Sequence, residues 1–345
     1  MRIAIVNDVP LAVEAVRRAI STTQEHQVAW IARDGVEAVR SCARDLPDLV
    51  LMDMIMPRMD GVEATRRIMA QTPCAIVVVT ANVNDNSSRV FEAMGAGALD
   101  AVNTPVVECP GACKGAAVLM AKIDTIRRFI GAGRSKGRDR SRASLSPPAV
   151  QRPQCLVVIG ASAGGPAALS KILSHLPAGF PAPIIIVQHV DPQFAQGLAN
   201  WLDYQTPLQV RLAQENDHPQ AGTVLLAGRD THLVFINSVR LVYSQLPADC
   251  SYSPSVDVFF RSVDRFWPGN VIGVLLSGMG RDGAEGLRVL RNSGHHTIAQ
   301  DKATSAVYGM PKTAAELNAA EEILPLRQIA PRLKELVAQG RFAHA

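Results

Sequence analysis

Apolar and polar residues alternate along the first 130 residues with the two periods expected of strands and helices. Short apolar runs predict five strands, over residues 2–6, 28–32, 49–52, 75–79 and 99–102. Apolar residues three or four positions apart predict the helices between them, over residues 11–20, 36–44, 62–70 and 89–94. This alternation is typical of a doubly wound, five-stranded parallel sheet, which we assign to a first domain over residues 1–130.

The second half of the chain repeats the alternation with stronger apolar runs. These runs predict buried strands over residues 156–159, 183–187, 224–227 and 271–276. Helical patterns follow the first and the last of these strands, over residues 167–173 and from residue 284 onward. We therefore expect a second doubly wound, mainly parallel α/β domain over residues 154–340.

A change of composition separates the two predicted domains. Residues 116–130 have a helical apolar pattern, and residues 131–153 are then rich in glycine, serine, arginine and proline. Such a segment cannot bury a core, so we predict a flexible basic linker. Seven Lys or Arg residues lie between Arg127 and Arg142 with no interleaved aromatic residue beyond Phe129, which favours a solvated linker over a nucleic-acid-binding surface.

The composition of the whole chain is that of an ordinary globular protein. Of its 345 residues, 48% are apolar and 19% are charged, and the formal net charge is +4. No stretch approaches the roughly 18 apolar residues that a membrane span needs, and the apolar start is too short for a signal peptide. The six cysteines show no disulfide-framework spacing. We expect a cytoplasmic protein with no membrane insertion and no nucleic-acid partner.

Polar side chains follow three of the predicted strands in the first domain. Asp8, Asp53 and Thr80 stand at these strand ends, which meet at one edge of a parallel sheet. Two carboxylates at one edge suit Mg²⁺, and one of them can accept a phosphoryl group. The alternative is that polar residues simply reappear where buried strands end.

A glycine-rich turn follows the first strand of the second domain. Its residues Gly160, Ser162 and Gly164 match the G-x-S-x-G pattern in which a strand-to-helix turn exposes a nucleophilic serine. Backbone N–H groups at the start of the helix can then face a developing oxyanion. Glycine-rich strand–helix turns also bind phosphate groups, and more often than they carry a nucleophile.

Two further strand-end loops of the second domain carry the partners that a nucleophilic serine needs. His189 follows the strand over residues 183–187 and can act as a base, with His232 as a second, weaker candidate. Asp282 lies in a glycine-rich turn after residue 276 and can orient the histidine. The order serine, histidine, aspartate differs from that of α/β-hydrolases and of chymotrypsin-like and subtilisin-like enzymes. A lone histidine is more often a structural hydrogen-bonding group.

The segment from Leu49 to Gly61, which reads LVLMDMIMPRMDG, resembles the phosphoacceptor segment of two-component receiver domains. The resemblance implies that Asp53 is the phosphoacceptor and that Thr80 is the switch hydroxyl. It also implies that Asp8, Asp53 and the backbone carbonyl of Ile55 bind Mg²⁺. Two residues depart from the receiver pattern: Asn7 replaces an acidic residue, and Thr104 replaces the lysine that would pair with the phosphoryl group.

The second domain resembles the catalytic domain of CheB-type protein-glutamate methylesterases. The resemblance rests on the triad order and on four segments: GASAGGP at 160–166, QH at 188–189, LSGMGRDG at 276–283 and QDKATSAVYGMP at 300–311. It implies that Ser162 attacks glutamyl methyl esters, with His189 as base, Asp282 as orienting group and the backbone N–H of Met279 at the oxyanion. Ala163 departs from the threonine that often follows the nucleophile in this family.

A receiver joined by a linker to this catalytic domain is the CheB layout, and the departures at Asn7 and Thr104 resemble the WspF subgroup. The resemblance implies a phosphorylation-regulated enzyme that adjusts adaptation in a chemosensory pathway. Its implied partners are a methyl-accepting chemoreceptor-like protein and a CheA-type histidine kinase. It further implies deamidation of receptor glutamines, a monomer, and no cofactor for ester hydrolysis.

Three other functional hypotheses compete with this one. A non-catalytic signalling or binding module is disfavoured by the complete triad at strand ends. A nucleotide-binding regulator would need an acidic residue after the second strand of its fold, where this chain has Gln188 and His189. A DNA-binding response regulator would need a helix-turn-helix after the linker, where this chain has strands.

Overall fold

The computed structural model describes residues 1–81, 83–107, 113–130, 155–237, 240–247, 250 and 252–339. The chain divides into two compact units, residues 1–133 and 134–345. The predicted linker over residues 131–153 lies outside the described residues. No helix in the described ranges combines the length and the hydrophobicity that crossing a bilayer requires.

The first unit is built on a parallel sheet of five strands in the order β2-β1-β3-β4-β5. The strands are β1 (Arg2–Val6), β2 (Gln27–Ala32), β3 (Leu49–Met52), β4 (Ala75–Thr80) and β5 (Asp100–Asn103). A short antiparallel pair follows, formed by β6 (Val106–Val107) and β7 (Cys113–Lys114). The helices are α1 (Pro10–Ile20), α2 (Gly35–Arg44), α3 (Gly61–Gln71), α4 (Val83–Gly95) and α5 (Ala116–Ile130).

The second unit is built on a parallel sheet of seven strands in the order β10-β11-β9-β8-β14-β15-β16. The strands are β8 (Leu156–Ala161), β9 (Ile184–Gln188), β10 (Gln209–Leu212), β11 (Thr223–Leu226), β14 (Val271–Leu275), β15 (His296–Gln300) and β16 (Glu322–Leu324). An antiparallel hairpin lies apart from this sheet and consists of β12 (His232–Phe235) and β13 (Leu241–Ser244). The helices are α6 (Gly165–Leu173), α7 (Pro192–Gln205), α8 (Val256–Phe266), α9 (Ala284–Asn292), α10 (Met310–Glu316) and α11 (Leu326–Gln339).

These sheets confirm the predicted fold class of both domains. The central strands β8 and β9 are buried along their whole lengths, because helices cover both faces of a parallel sheet. Their continuous apolar runs are therefore the expected sequence pattern. The central strands of both sheets run parallel, so each sheet brings the polar residues that follow its strands to one carboxyl edge.

The structure also contains elements that the apolar runs did not predict. Strand β15 reads HTIAQ, and its polar residues are buried, so no apolar run marks it. Strand β16 has three residues, which is too short for a periodic signal. Helix α4 begins at Val83 rather than near residue 89, since its first turns read VNDNSS and carry no apolar period. In these segments tertiary contacts, rather than the local propensity and the apolar pattern of the sequence, decide the secondary structure.

Candidate functional site

Ser162 lies in a tight turn between β8 and α6. Gly164 takes a φ of +75°, a left-handed conformation that an L side chain rarely adopts. The carbonyl of Ser162 accepts a hydrogen bond from the N–H of Gly165 at 2.7 Å, which closes the turn. A Cβ at position 165 would collide with the side-chain amide of Gln188. The glycines therefore let the backbone pass close to neighbouring groups, and the half-buried serine stands at the carboxyl edge of the sheet.

The pairing of β8 with β9 brings His189 to the same edge. Ala161 lies opposite Gln188 in this parallel pair, so Ser162 and His189 are the next residues on the two chains. The N–H of His189 donates to the carbonyl of Ala161 at 3.0 Å. The buried amide of Gln188 donates to the carbonyls of Ser162 at 2.9 Å and of His189 at 3.0 Å. Gln188 thus ties the two loops together, a role that the sequence analysis did not assign.

Asp282 completes the group from the loop between β14 and α9. Its Oδ2 lies 2.8 Å from Nε2 of His189, and the residue is 6% exposed. The carboxylate also accepts from the N–H groups of Val256 at 2.7 Å and Asp257 at 3.1 Å, and from the hydroxyl of Ser255 at 2.8 Å. These donors stand at the N-terminus of α8, where partial positive charge favours an anion.

This environment keeps the Asp282 carboxylate ionised. Burial alone would raise the pKa of Asp282. The hydrogen bond from His189, the positive charge that this ring carries when it is protonated, and the N–H groups of Val256 and Asp257 outweigh burial and hold the pKa of Asp282 below its usual value. An ionised carboxylate can only accept hydrogen bonds, so Nε2 of His189 carries a proton and donates a hydrogen bond to Asp282.

The second nitrogen of His189 is available for proton transfer. Nδ1 is buried, and no atom of the described residues forms a hydrogen bond with it. With the proton on Nε2, Nδ1 of the neutral ring holds a lone pair. The ring therefore uses its nitrogens in the opposite sense to the chymotrypsin-type triad, in which Nδ1 faces the carboxylate.

Met279 lies in a loop that is fixed against the serine turn. The N–H of Ser162 donates to the carbonyl of Ser277 at 3.0 Å. A Cβ at Gly278 would lie 2.9 Å from the Cβ of Ser162, so the two backbones are in close contact. Within the described part of the chain, the N–H groups of Met279 and Ala163 meet no acceptor. Both N–H groups are therefore candidate oxyanion donors, and the sequence analysis did not name Ala163, which directly follows the serine.

A buried polar network holds this loop in place. The hydroxyl of Ser277 donates to the carbonyl of Ala163 at 2.8 Å and accepts from the N–H of Val307 at 2.9 Å. The side chain of Gln300 accepts from the N–H of Ser277 at 2.8 Å. The N–H of Gly278 donates to the carbonyl of Val307 at 3.0 Å. Segment 300–311, which the sequence analysis recognised only by resemblance, thus supports both the nucleophile turn and the oxyanion loop.

His232, the weaker candidate base, has a structural position instead. It is 2% exposed, its Nδ1 accepts from the N–H of Ser255 at 3.1 Å, and its Nε2 donates to the carbonyl of Pro247 at 3.1 Å. Both ring nitrogens are therefore engaged away from Ser162. Ser255 is the N-cap of α8 and accepts from the N–H of Val258 at 3.3 Å. A serine directly before an amphipathic helix is the sequence signal that could have identified this cap.

The first unit places its three strand-end residues along the carboxyl edge of its own sheet. The pKa of Asp53 is raised to about 6, by burial first and then by the negative charge of Asp8, while N–H groups of Met54 and Ile55 oppose the rise. The N–H of Met54 donates to Asp53 at 2.7 Å. Thr80 ends β4 and is 2% exposed. The negative charge of Asp8 thus acts on the partly buried Asp53 carboxylate, and such an excess of negative charge suits a hard cation.

The two residues that depart from the receiver pattern are engaged with the backbone. Asn7 is buried, and its Oδ1 accepts from the N–H of Val9 at 2.8 Å. The N–H of Thr104 donates to the carbonyl of Thr80 at 2.9 Å, so Thr104 lies beside the predicted switch residue. Lys122, on α5, is paired with Asp100 at 2.7 Å and so does not replace the missing lysine.

Comparison with known proteins gives matches over nearly the whole chain. A family model described as CheB methylesterase matches residues 157–333, and one described as response regulator receiver domain matches residues 3–108. The chain is 56% identical over 337 residues to a protein-glutamate methylesterase/protein-glutamine glutaminase of Mesorhizobium japonicum, over 97% of this chain and 98% of that protein.

Two further comparisons agree with these matches. A protein-glutamate methylesterase/protein-glutamine glutaminase of a group 3 operon in Pseudomonas putida is 56% identical over 339 residues, which is 98% of this chain and all (100%) of the relative. The crystal structure of the Thermotoga maritima CheB methylesterase catalytic domain is similar with a TM-score of 0.51 and 36% identity. It covers 54% of this chain and 100% of its own.

Proposed function

This chain belongs to the CheB methylesterase family, and from that membership we propose how its residues hydrolyse glutamyl methyl esters. The protein is a protein-glutamate methylesterase, a carboxylic-ester hydrolase, with a receiver domain for regulation. We propose a receiver over residues 1–130, a linker over 131–153 and a catalytic domain over 154–340. Membership of the WspF subgroup remains a prediction.

Ser162, His189 and Asp282 form the catalytic triad of this proposal. The Oγ of Ser162 attacks the ester carbonyl while Nδ1 of His189 takes its proton. The resulting imidazolium is stabilised by ionised Asp282, which stays hydrogen-bonded to Nε2. The imidazolium then gives its proton to the departing methoxy oxygen, and methanol leaves. A water molecule, deprotonated by Nδ1, attacks the acyl-enzyme and releases glutamate, and the proton returns to Oγ of Ser162.

The backbone N–H groups of Met279 and Ala163 bind the oxyanion of both tetrahedral intermediates. They are preorganised because the Ser277 network holds both loops before substrate arrives. Removal of one such donor in other hydrolases costs about a hundredfold to a thousandfold in kcat. Because a backbone donor at residue 163 does not depend on the side chain, the alanine there is compatible with ester hydrolysis.

The same acyl chemistry extends to glutamine deamidation, for which ammonia rather than methanol is the leaving group. Two relatives over nearly the full length carry both activities in their names. The substrate we propose is a methyl-accepting chemoreceptor-like protein, whose demethylation sets adaptation in a chemosensory pathway. The glutamyl side chain must reach Ser162 at the carboxyl edge of the seven-stranded sheet.

The receiver in this proposal accepts a phosphoryl group at Asp53 from a CheA-type histidine kinase. Asp8, Asp53 and the carbonyl of Ile55 would hold Mg²⁺, which supplies positive charge beside the transferred phosphoryl group. The burial of the Asp53 carboxylate and the negative charge of Asp8 that acts on it fit this ion. Thr80 is the switch hydroxyl, and phosphorylation relieves inhibition of the catalytic domain by the receiver.

The observation that carries the esterase proposal is the ionised, four-donor environment of Asp282 behind His189. The direct test is Ser162→Ala, which removes the nucleophile and leaves the turn intact. We expect methanol release from a methylated receptor fragment to fall to background, with thermal unfolding unchanged. Ser174→Ala, at an exposed helix end, is the matched control and should keep full activity. Methanol release by folded Ser162→Ala would refute Ser162 as the nucleophile, and no methanol release by the unaltered protein would support a non-catalytic binding module instead.

A further inference from the structure

Tyr252 packs face to face on the imidazole of His189. The two ring centroids are 4.5 Å apart and the ring planes differ by 1°. This contact is distinct from the hydrogen bond to Asp282, which reaches the edge of the imidazole at Nε2. His189 is therefore held at its edge by a carboxylate and on one face by an aromatic ring.

The two contacts restrain different motions of the histidine. A hydrogen bond at Nε2 fixes one point of the ring but leaves tilting about that point possible. A coplanar aromatic ring opposes this tilting, because tilting would break close contacts over the whole face. Nδ1 lies off the line that joins Cγ to Nε2, so rotation of the ring about that line moves Nδ1. The stack thus bears directly on the position of the nitrogen that exchanges the proton.

Tyr252 is itself fixed by its surroundings. Its hydroxyl lies against Gly280, where a Cβ would come within 2.5 Å of the hydroxyl oxygen, and Gly280 has a φ of +85°. Residue 252 also precedes the segment 255–257 whose donors surround Asp282. Burial and the charge of Asp282 raise the pKa of Tyr252, so the phenol stays neutral at the pH of catalysis. The segment 252–257 therefore contacts both His189 and Asp282.

We propose that Tyr252 is a positioning residue whose aromatic face fixes the plane of His189 and stabilises the imidazolium formed during acylation. This inference rests on the proposed function of Ser162, His189 and Asp282. Aromatic faces attract cations through their quadrupole, an effect that is stronger in a desolvated site. Since the imidazolium exists only after proton transfer, the stack lowers the barrier rather than improving substrate binding.

Among the described residues, the recorded ion pair of the imidazole is the one with Asp282. Asp282 contacts Nε2, and Asp257 stands next to Asp282 with its pKa raised by burial and by that neighbouring charge. Arg261 and Glu285 act on Asp257 with opposite signs. From the face covered by Tyr252, the group nearest the ring is uncharged. Replacement of the aromatic face therefore changes the stability of the imidazolium without changing the net charge beside it.

The test compares Tyr252→Phe with Tyr252→Leu in the full-length protein, with a methylated receptor fragment as substrate. Phe keeps the stacked face and should keep kcat within about twofold. Leu fills space without a π face and should lower kcat roughly tenfold with KM nearly unchanged. The acid limb of the pH–rate profile should move to lower pH for Leu only, since the imidazolium loses stabilisation. Tyr252→Met is measured as a second non-aromatic variant in case Leu does not fold.

Three results would overturn the inference. Activity equal to that of the unaltered protein in the Leu, Met and Phe variants would show that the stack has no effect. An equal loss in Phe and Leu would assign the effect to the hydroxyl. A rise in KM at constant kcat would make Tyr252 a substrate contact. Ser162→Ala is measured in parallel: its retained activity would refute the triad itself, whereas an inactive Ser162→Ala with unaffected Tyr252 variants refutes only the stacking role.

Discussion

The two units place polar residues at the carboxyl edge of a parallel sheet, but they surround those residues very differently. In the catalytic unit, Asp282 accepts hydrogen bonds from three neighbouring residues and from His189. In the receiver unit, the acid pair is reduced to Asp8, and Thr104 stands where a lysine would pair with the phosphoryl group. Proton transfer needs atoms held within tenths of an ångström, whereas phosphoryl and cation binding depend on summed charge. We therefore expect the first site to be more sensitive than the second to the loss of a single group.

Among the variants that test this comparison, Asp282→Asn should change the catalytic rate most. An amide can present its NH₂ to Nε2 and select the wrong tautomer, so we expect kcat to fall about ten-thousand-fold. Steady-state methanol release measures this, and circular dichroism checks the fold. Asp230→Asn, at an exposed loop position, is the control. A loss of less than about tenfold would mean that the carboxylate does not orient His189.

Deletion of residues 1–145 should give an intermediate change, and it should raise the rate rather than lower it. If the receiver inhibits the catalytic domain, its removal should raise basal methanol release about tenfold, in the usual range of allosteric coupling. The catalytic domain of the Thermotoga maritima relative was crystallised as a separate chain, which makes this truncation feasible. An unchanged or lower rate would argue that the receiver does not inhibit. Combination with Ser162→Ala should abolish activity in either case.

Asn7→Asp should give the smallest effect, and it tests whether the receiver site depends on summed charge. The aspartate keeps the oxygen that accepts from Val9 and adds a negative charge near Asp53. We expect labelling by acetyl phosphate to reach half its maximum at a severalfold lower Mg²⁺ concentration. Asp53→Ala should show no labelling and serves as the background. An unchanged Mg²⁺ requirement would show that residue 7 is not close enough to the cation to matter.

Much of both sites could be predicted because strand-end position is encoded locally. Apolar runs before Ser162, His189 and Asp53 locate these residues at a sheet edge, and parallel pairing then brings such edges together. The interpretation of His232 as a possible base failed for the same reason: it too is a histidine near a strand, and pattern does not show which side chain its nitrogens will meet. Its two hydrogen bonds, to residues 247 and 255, are decided by packing.

The sequence by itself determined the parallel α/β class of both sheets, the positions of their most apolar strands and the candidate site residues. These follow from hydrophobic period and from motifs whose members are close along the chain. Only the tertiary structure decided which nitrogen of His189 meets Asp282, which face Tyr252 covers, and how Gln188, Ser255 and Ser277 hold the three loops. Those contacts join residues up to 114 positions apart. Their geometry depends on the register of neighbouring strands and on the packing of helix ends, which no local pattern specifies.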